Sequence, residues 1–238
     1  MGTKSRAHPT TGEKCNGFPV AGYMGCGLLR PGRISGIRYP VSKIEHPIST
    51  TENPGFAFIM SQPHEPAPAK LIIRFLFRDF AVQLEALRRL EVMFGPMDFL
   101  SAPAPFPYTT YYDREMGPGI RRQTAGYFDL VKPVALPDIK LGTNGLEREL
   151  AAGPNRQVNI DPGILSQERF VLATGKNFTH RIYLRDGIYG DLTLMYHKGG
   201  YQPLPWTYPD YREPEFLGWL AFLRKKLKFQ QDGALPSG

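Results

Sequence analysis

An α+β domain with a mostly antiparallel sheet and helices on one side is predicted by three features of this 238-residue chain. A nearly continuous apolar run, residues 71–77 (LIIRFLF), has the length and content of a buried central strand. Two stretches, 80–94 and 214–230, carry apolar residues at helical spacing. Between them, residues 179–196 alternate around an Asp-Gly pair, the pattern of a hairpin. Segregated strands and helices of this kind indicate α+β rather than a parallel α/β fold.

Each element follows in order. Asp79 is placed to cap a helix in which Phe80, Leu84, Leu87 and Leu90 form the inward stripe, and Gly95-Pro96 stops it. Residues 97–100 read as a short strand before the Pro-rich loop SAPAPFPYT. Residues 126–131 read as a strand and 136–152 as a helix weakened by Gly142 and Gly145. Asn159 to Asp161 reads as a short strand ending in an Asp-Pro-Gly turn. In the hairpin a three-residue loop, Arg185-Asp186-Gly187 with Gly187 left-handed, pairs Leu184 with Ile188, Ile182 with Gly190 and His180 with Leu192. That register gives an apolar face of Ile182, Leu184, Ile188, Leu192 and Leu194, and sets Arg181 opposite Asp191 and Tyr183 opposite Tyr189. Residues 197–200 turn into an edge strand closed by Pro203. Pro214 opens a last helix with Phe216, Leu220, Leu223 and Leu227 buried. The order fits a ferredoxin-like β-α-β-β-α-β start with a C-terminal hairpin and helix.

The first 59 residues differ from the rest. They hold nine Gly and six Pro without an apolar period, so they cannot bury enough surface to offset their ordering entropy. The expected organisation is a disordered extension at 1–66, one domain at 67–231 and a disordered tail at 232–238. Two origins stay open for the extension, a genuine tail or upstream sequence read from a misplaced start with Met60 as the true one. Seven Lys/Arg less three Glu put +4 of the net +7 in residues 1–59 and leave +3 beyond them. Bulk charge therefore argues only weakly for nucleic acid. Both cysteines, Cys15 and Cys26, lie in that first segment. The domain has no disulfide framework, and a cytoplasmic setting with no membrane contact is expected.

Strings of residues in one order, FGPMDFLS, PFPYTTYYDREMGPG, IKLGTNGLE, RQVNIDPG, LATGKNFTHRIYLRDGIYGDLTLMY and QPLPWTYPDYR, resemble the bacterial family called domain of unknown function 4416. The resemblance spans about residues 68–230. It implies a single domain and transfers no activity and no residue role.

Chemistry has to be read from the residues. The domain carries only His64, His180 and His197 and no cysteine, so no metal site is expected. No nucleophile motif is present, and no motif names a cofactor. Asp161 and His180 are the candidate acid–base pair, weighed against a turn-forming Asp and a histidine satisfied by backbone. Arg121, Arg122, Arg181 and Arg212 could clamp an anion, Asn159 could present an amide, and Tyr183 and Tyr211 could stack a ring. The bland readings are solvated arginines at 121 and 122 and an aromatic loop that locks the last helix to the sheet. The expected function is binding of an anionic small molecule, a nucleotide or phosphorylated metabolite, with or without catalysis. The alternatives are an RNA-binding module, which stacks bases on an open sheet, and a protein-interaction domain without ligand.

Overall fold

The structure, a computed structural model, describes residues 62–233. The expectations for residues 1–61 and for the last five residues lie outside that range. The elements are β1 (Ala69–Phe77), α1 (Phe80–Phe94), β2 (Met97–Leu100), β3 (Ala104–Pro105), α2 (Asp113–Met116), β4 (Arg121–Val131), α3 (Leu136–Glu149), β5 (Val158–Leu165), β6 (Arg169–Thr174), β7 (Arg181–Arg185), β8 (Ile188–His197), β9 (Gly200–Pro203) and α4 (Pro214–Gln231). Short 3-10 turns precede α3 and α4 at Pro133–Ala135 and Pro209–Tyr211.

The strands form one antiparallel sheet in the order β2-β4-β1-β5-β6-β8-β7, with β3 added on β4 and β9 on β8. Its first four strands, β2-β4-β1-β5, with α1 and α3 between them in sequence, have the ferredoxin-like arrangement. Strand β1 lies inside and is buried along its whole length. Alternate residues Leu71, Ile73, Phe75 and Phe77 pack with Ala86 and Leu90 of α1 and Ile139 and Leu146 of α3. Ile72 faces the other way, into a cluster with Phe216, Leu220 and Leu223 of α4. So α1 and α3 share one side, while α4 covers the opposite one. A strand apolar on both faces needs cover on both.

Local differences from the expectations have local causes. Asp79 does cap α1, its Oδ1 accepting the Ala81 N–H at 2.7 Å, and Gly95 ends it at φ 85°. The inward stripe of α1 is Gln83, Ala86, Leu87 and Leu90, however, and Phe80 and Leu84 are exposed. The stripe is rotated by part of a turn because Gln83 is drawn inward to donate to Gln123 Oε1. The Pro-rich loop and the segment after it hold two elements the pattern did not mark, β3 and α2 respectively.

In the hairpin the pairs Arg181↔Asp191, Ile182↔Gly190 and Tyr183↔Tyr189 occur as expected. The loop is two residues, not three: Arg185 pairs with Ile188, and Leu184 is the bulged residue between Tyr183 and Arg185. Asp186 at φ 53° and Gly187 at φ 75° both take the left-handed conformation of a type I′ turn. The bulge absorbs the extra residue and restores the register. His180 lies outside the strand, and Ile182 and Leu184 are exposed rather than part of a buried face. Strand β7 is the last in the sheet, with no strand beyond it among the described residues.

The largest difference is at Asp161-Pro162-Gly163. It is not a turn: β5 continues through it to Leu165, paired along its length with β1. Pairing with β6 begins only at Gly163↔Leu172. Backbone groups alternate sides along a strand, so Pro162 and Ile160 point the same way, away from β1. Proline has no N–H to offer β6 there, and the ladder stops. Beyond that point β5 and β6 part.

Candidate functional site

A cavity of about 730 Å³ lies where the two strands separate. Its walls are the freed ends of β5 and β6, the inner face of α3, the 106–112 loop and the 208–211 turn. An open strand edge leaves backbone groups without partners. Here α3 supplies them. Glu147 Oε1 accepts the Ile160 N–H at 2.5 Å, and Lys140 Nζ donates to the Ile160 carbonyl at 2.9 Å. Two side chains thus replace one step of a missing strand. Both are buried among the apolar residues of α3. Burial raises the Glu147 carboxyl above its ordinary range, against the opposing pull of Lys140, the Ile160 N–H and Arg156. Arg156 grips Glu115 through two bonds of 2.8 Å and donates to Asn159 Oδ1 at 2.7 Å. Those bonds hold the Glu115 carboxyl below its ordinary range.

The floor is built on β1 and β5. Arg74, which interrupts the apolar run, is opposite Asp161 in the register. Its Nη1 donates to the Asp210 carbonyl at 3.0 Å and lies 3.2 Å from Asp210 Oδ2. The guanidinium covers the rings of Tyr211 and Phe216, 4.6 Å from each centroid. Its buried Nε has no partner among the described residues. Burial raises the Asp210 carboxyl, with Arg74 opposing, and burial likewise pushes the Tyr211 and Tyr112 hydroxyls well up. Asp161 accepts from Lys140 at 3.2 Å and from Asn159 Nδ2 at 2.6 Å.

The third wall comes from the hairpin. Asp191, buried on β8, accepts from Arg181 Nε at 2.8 Å, and Arg181 Nη2 donates to the Tyr208 hydroxyl at 2.9 Å. At the rim Lys176 Nζ sits 5.3 Å from the centre of the Tyr111 ring. Lys176 makes no ion pair with any described residue. Among the described residues no group of three His, Cys, Asp or Glu is placed to hold a metal ion.

Of the residues singled out in the sequence, Asn159, Asp161, Arg181 and Tyr211 line this cavity. The others lie elsewhere. His180 is behind the wall, its Nε2 3.2 Å from Asp191 Oδ2 and its ring stacked on Trp206. Its carboxylate partner is therefore Asp191, and the Asp161–His180 pair is not assembled. Arg121 covers Phe80. Arg122 pairs with Glu213 and donates to the Tyr108 hydroxyl. Tyr183 is exposed on β7 against Tyr189. Arg212 donates to the carbonyls of Leu204, Pro205 and Thr207, which makes it a clamp on its own loop.

Sequence reasoning missed Arg74, Lys140, Glu147, Arg156 and Asp210. Three of these left a signal. Arg74 breaks a strand that is otherwise apolar, and Lys140 and Glu147 fall on the same helical face as Leu136, Ile139 and Leu146. A charged residue at an inward position needs a buried partner, and that need marks a site or a structural tie. Arg156 and Asp210 sit in loops with no such mark.

The chain belongs to the family described as domain of unknown function 4416, whose model matches residues 67–227. No curated protein and no solved structure matches the chain. No helix among the described residues is long and apolar enough to cross a membrane.

Proposed function

We propose that the cavity between β5 and β6 binds a small molecule with an anionic end, a nucleotide or phosphorylated metabolite. One observation carries the reading. The sheet is kept open at the expense of burying Lys140 and Glu147, which take the place of strand pairing at Ile160. Closing the ladder would satisfy the same backbone groups without buried charge, and burying charge opposes folding. The opening has a use if it receives a ligand. Its volume falls in the range of small-molecule sites, ~300–1,000 Å³. Tyr108, Tyr111, Tyr112 and Tyr208 offer flat surface for a ring. Lys176 and Arg181 supply positive charge near the mouth for a phosphate or carboxylate.

Asp161 is the group best placed to exchange a proton with a bound molecule. Its side chain is 35% exposed, against 9% for Asp210, 8% for Glu147 and 5% for Asp191. The cytoplasm is the proposed setting, since residues 62–233 contain no cysteine. Exposed Ile182, Tyr183 and Leu184 on the edge strand favour a second reading, a protein-interaction domain.

Thermal-shift screening of the full chain against nucleotides, sugar phosphates and divalent metals, followed by calorimetry of the hits, tests the proposal. Binding of a phosphate-bearing compound, weakened about tenfold by Lys176→Ala through loss of one charged hydrogen bond, is expected. A screen in which nothing phosphorylated binds would overturn it and leave the interaction reading ahead.

A further inference from the structure

The charged groups of the cavity are not evenly available. Deep in it, every cation is already engaged by the protein. Arg74 is held by Asp210, Lys140 by the Ile160 carbonyl and Asp161, and Arg156 by Glu115 and Asn159. The most exposed charged side chain there is a carboxylate, Asp161, 35% open against 30% for Arg156. The cation without an ion partner among the described residues is Lys176, at the rim. A phosphate pushed inward would meet Asp161 among cations that carboxylates already neutralise, whereas at the rim it meets Lys176. The inner end of a ligand therefore has to bring hydrogen-bond donors.

A second cation is disfavoured as that donor, because Lys140 lies 3.2 Å from Asp161 Oδ1 and Arg74 stands across the strand pair. Neutral donors remain. Each Asp161 oxygen takes one bond from the protein, and a carboxylate oxygen accepts two. Two side-by-side lone pairs match two side-by-side hydroxyls. Resting on the function proposed above, we infer that Asp161 receives the vicinal hydroxyls of a ribose-type sugar, and that the ligand's phosphate points outward to Lys176. Asp161 is then the residue that selects ribose over deoxyribose.

The test uses calorimetry on the full chain with AMP, GMP, CMP and UMP, their 2′-deoxy counterparts and ribose 5-phosphate. The expected result is that the best ribonucleotide binds about tenfold or more tightly than its deoxy form, as a lost hydrogen bond to a charged group implies. In Asp161→Asn that ratio should fall toward one. Equal or better binding of the deoxy form by the unaltered protein overturns this inference and leaves the ligand proposal standing. Failure of every compound to bind, ribose 5-phosphate included, overturns the ribose inference, and overturns the ligand proposal too where the screen of phosphorylated compounds is also empty. The ribose-to-deoxyribose ratio of the unaltered protein decides the matter even where Asp161→Asn fails to fold.

Discussion

Replacing Glu147 by alanine removes the acceptor for the Ile160 N–H at a buried strand edge. An unsatisfied buried donor costs ~1–3 kcal/mol. The change also leaves Lys140 and Arg156 without one neighbouring negative charge, and breaking a buried ion pair costs ~3–5 kcal/mol when the loss is complete. Here it is partial, since Lys140 keeps Asp161 and Arg156 keeps Glu115. The carboxylate's own burial, which raises its pKa, offsets part of the loss as well. About 2–3 kcal/mol is expected, a fall of roughly 5–10 °C in Tm for a domain of this size. Glu147→Gln keeps an acceptor oxygen and should cost less than about 1 kcal/mol. Glu149→Ala is the control, because its side chain is 58% exposed and pairs only with exposed Arg89. Urea titration gives the stabilities, and amide exchange of Ile160 reports the lost bond directly. Should Glu147→Ala cost no more than Glu149→Ala, with Ile160 exchange unchanged, the idea that α3 side chains substitute for a strand would be wrong.

Gly187→Val should destabilise by about 1 kcal/mol or more, because Gly187 sits at φ 75° where a β-branched residue is strained. A Cβ there would meet nothing within 4 Å, so an unchanged melting curve would count against the turn geometry rather than against packing. Asp210 gives a pH dependence with a definite sign. Its carboxyl is raised above 3.8 by burial, with Arg74 opposing, so the folded chain holds that proton more tightly than the unfolded one. The stability it contributes is full below pH 3.8 and is lost as pH rises through the folded value. Asp210→Asn should make the slope of stability against pH just above that point less negative, and identical slopes in the two proteins would refute the assignment.

What the sequence determined by itself is whatever depends on residues near one another in the chain. The apolar run of β1, the Asp79 cap, the stripe Phe216, Leu220, Leu223 and Leu227, and the pairs around Tyr183↔Tyr189 all follow from spacing. Periodicity sets which face is apolar, and capping sets where a helix begins. The family followed from longer strings of residues in order. The site was legible only in part, at Asn159, Asp161, Arg181 and Tyr211.

Tertiary structure decided the rest. Asp-Pro-Gly reads locally as a turn, but eight consecutive pairs with β1 hold it extended, and tertiary pairing outweighs turn preference. Proline's missing N–H, harmless in a turn, then becomes the reason the sheet opens. Which charges meet in that opening depends on strand order and on where α3 crosses β5. No local pattern encodes that Arg74, Lys140, Glu147, Asp161 and Asp210, drawn from three elements and a 3-10 turn, share one cavity. Their convergence exists only once the chain is folded, because burial is what forces each charge to find a distant partner.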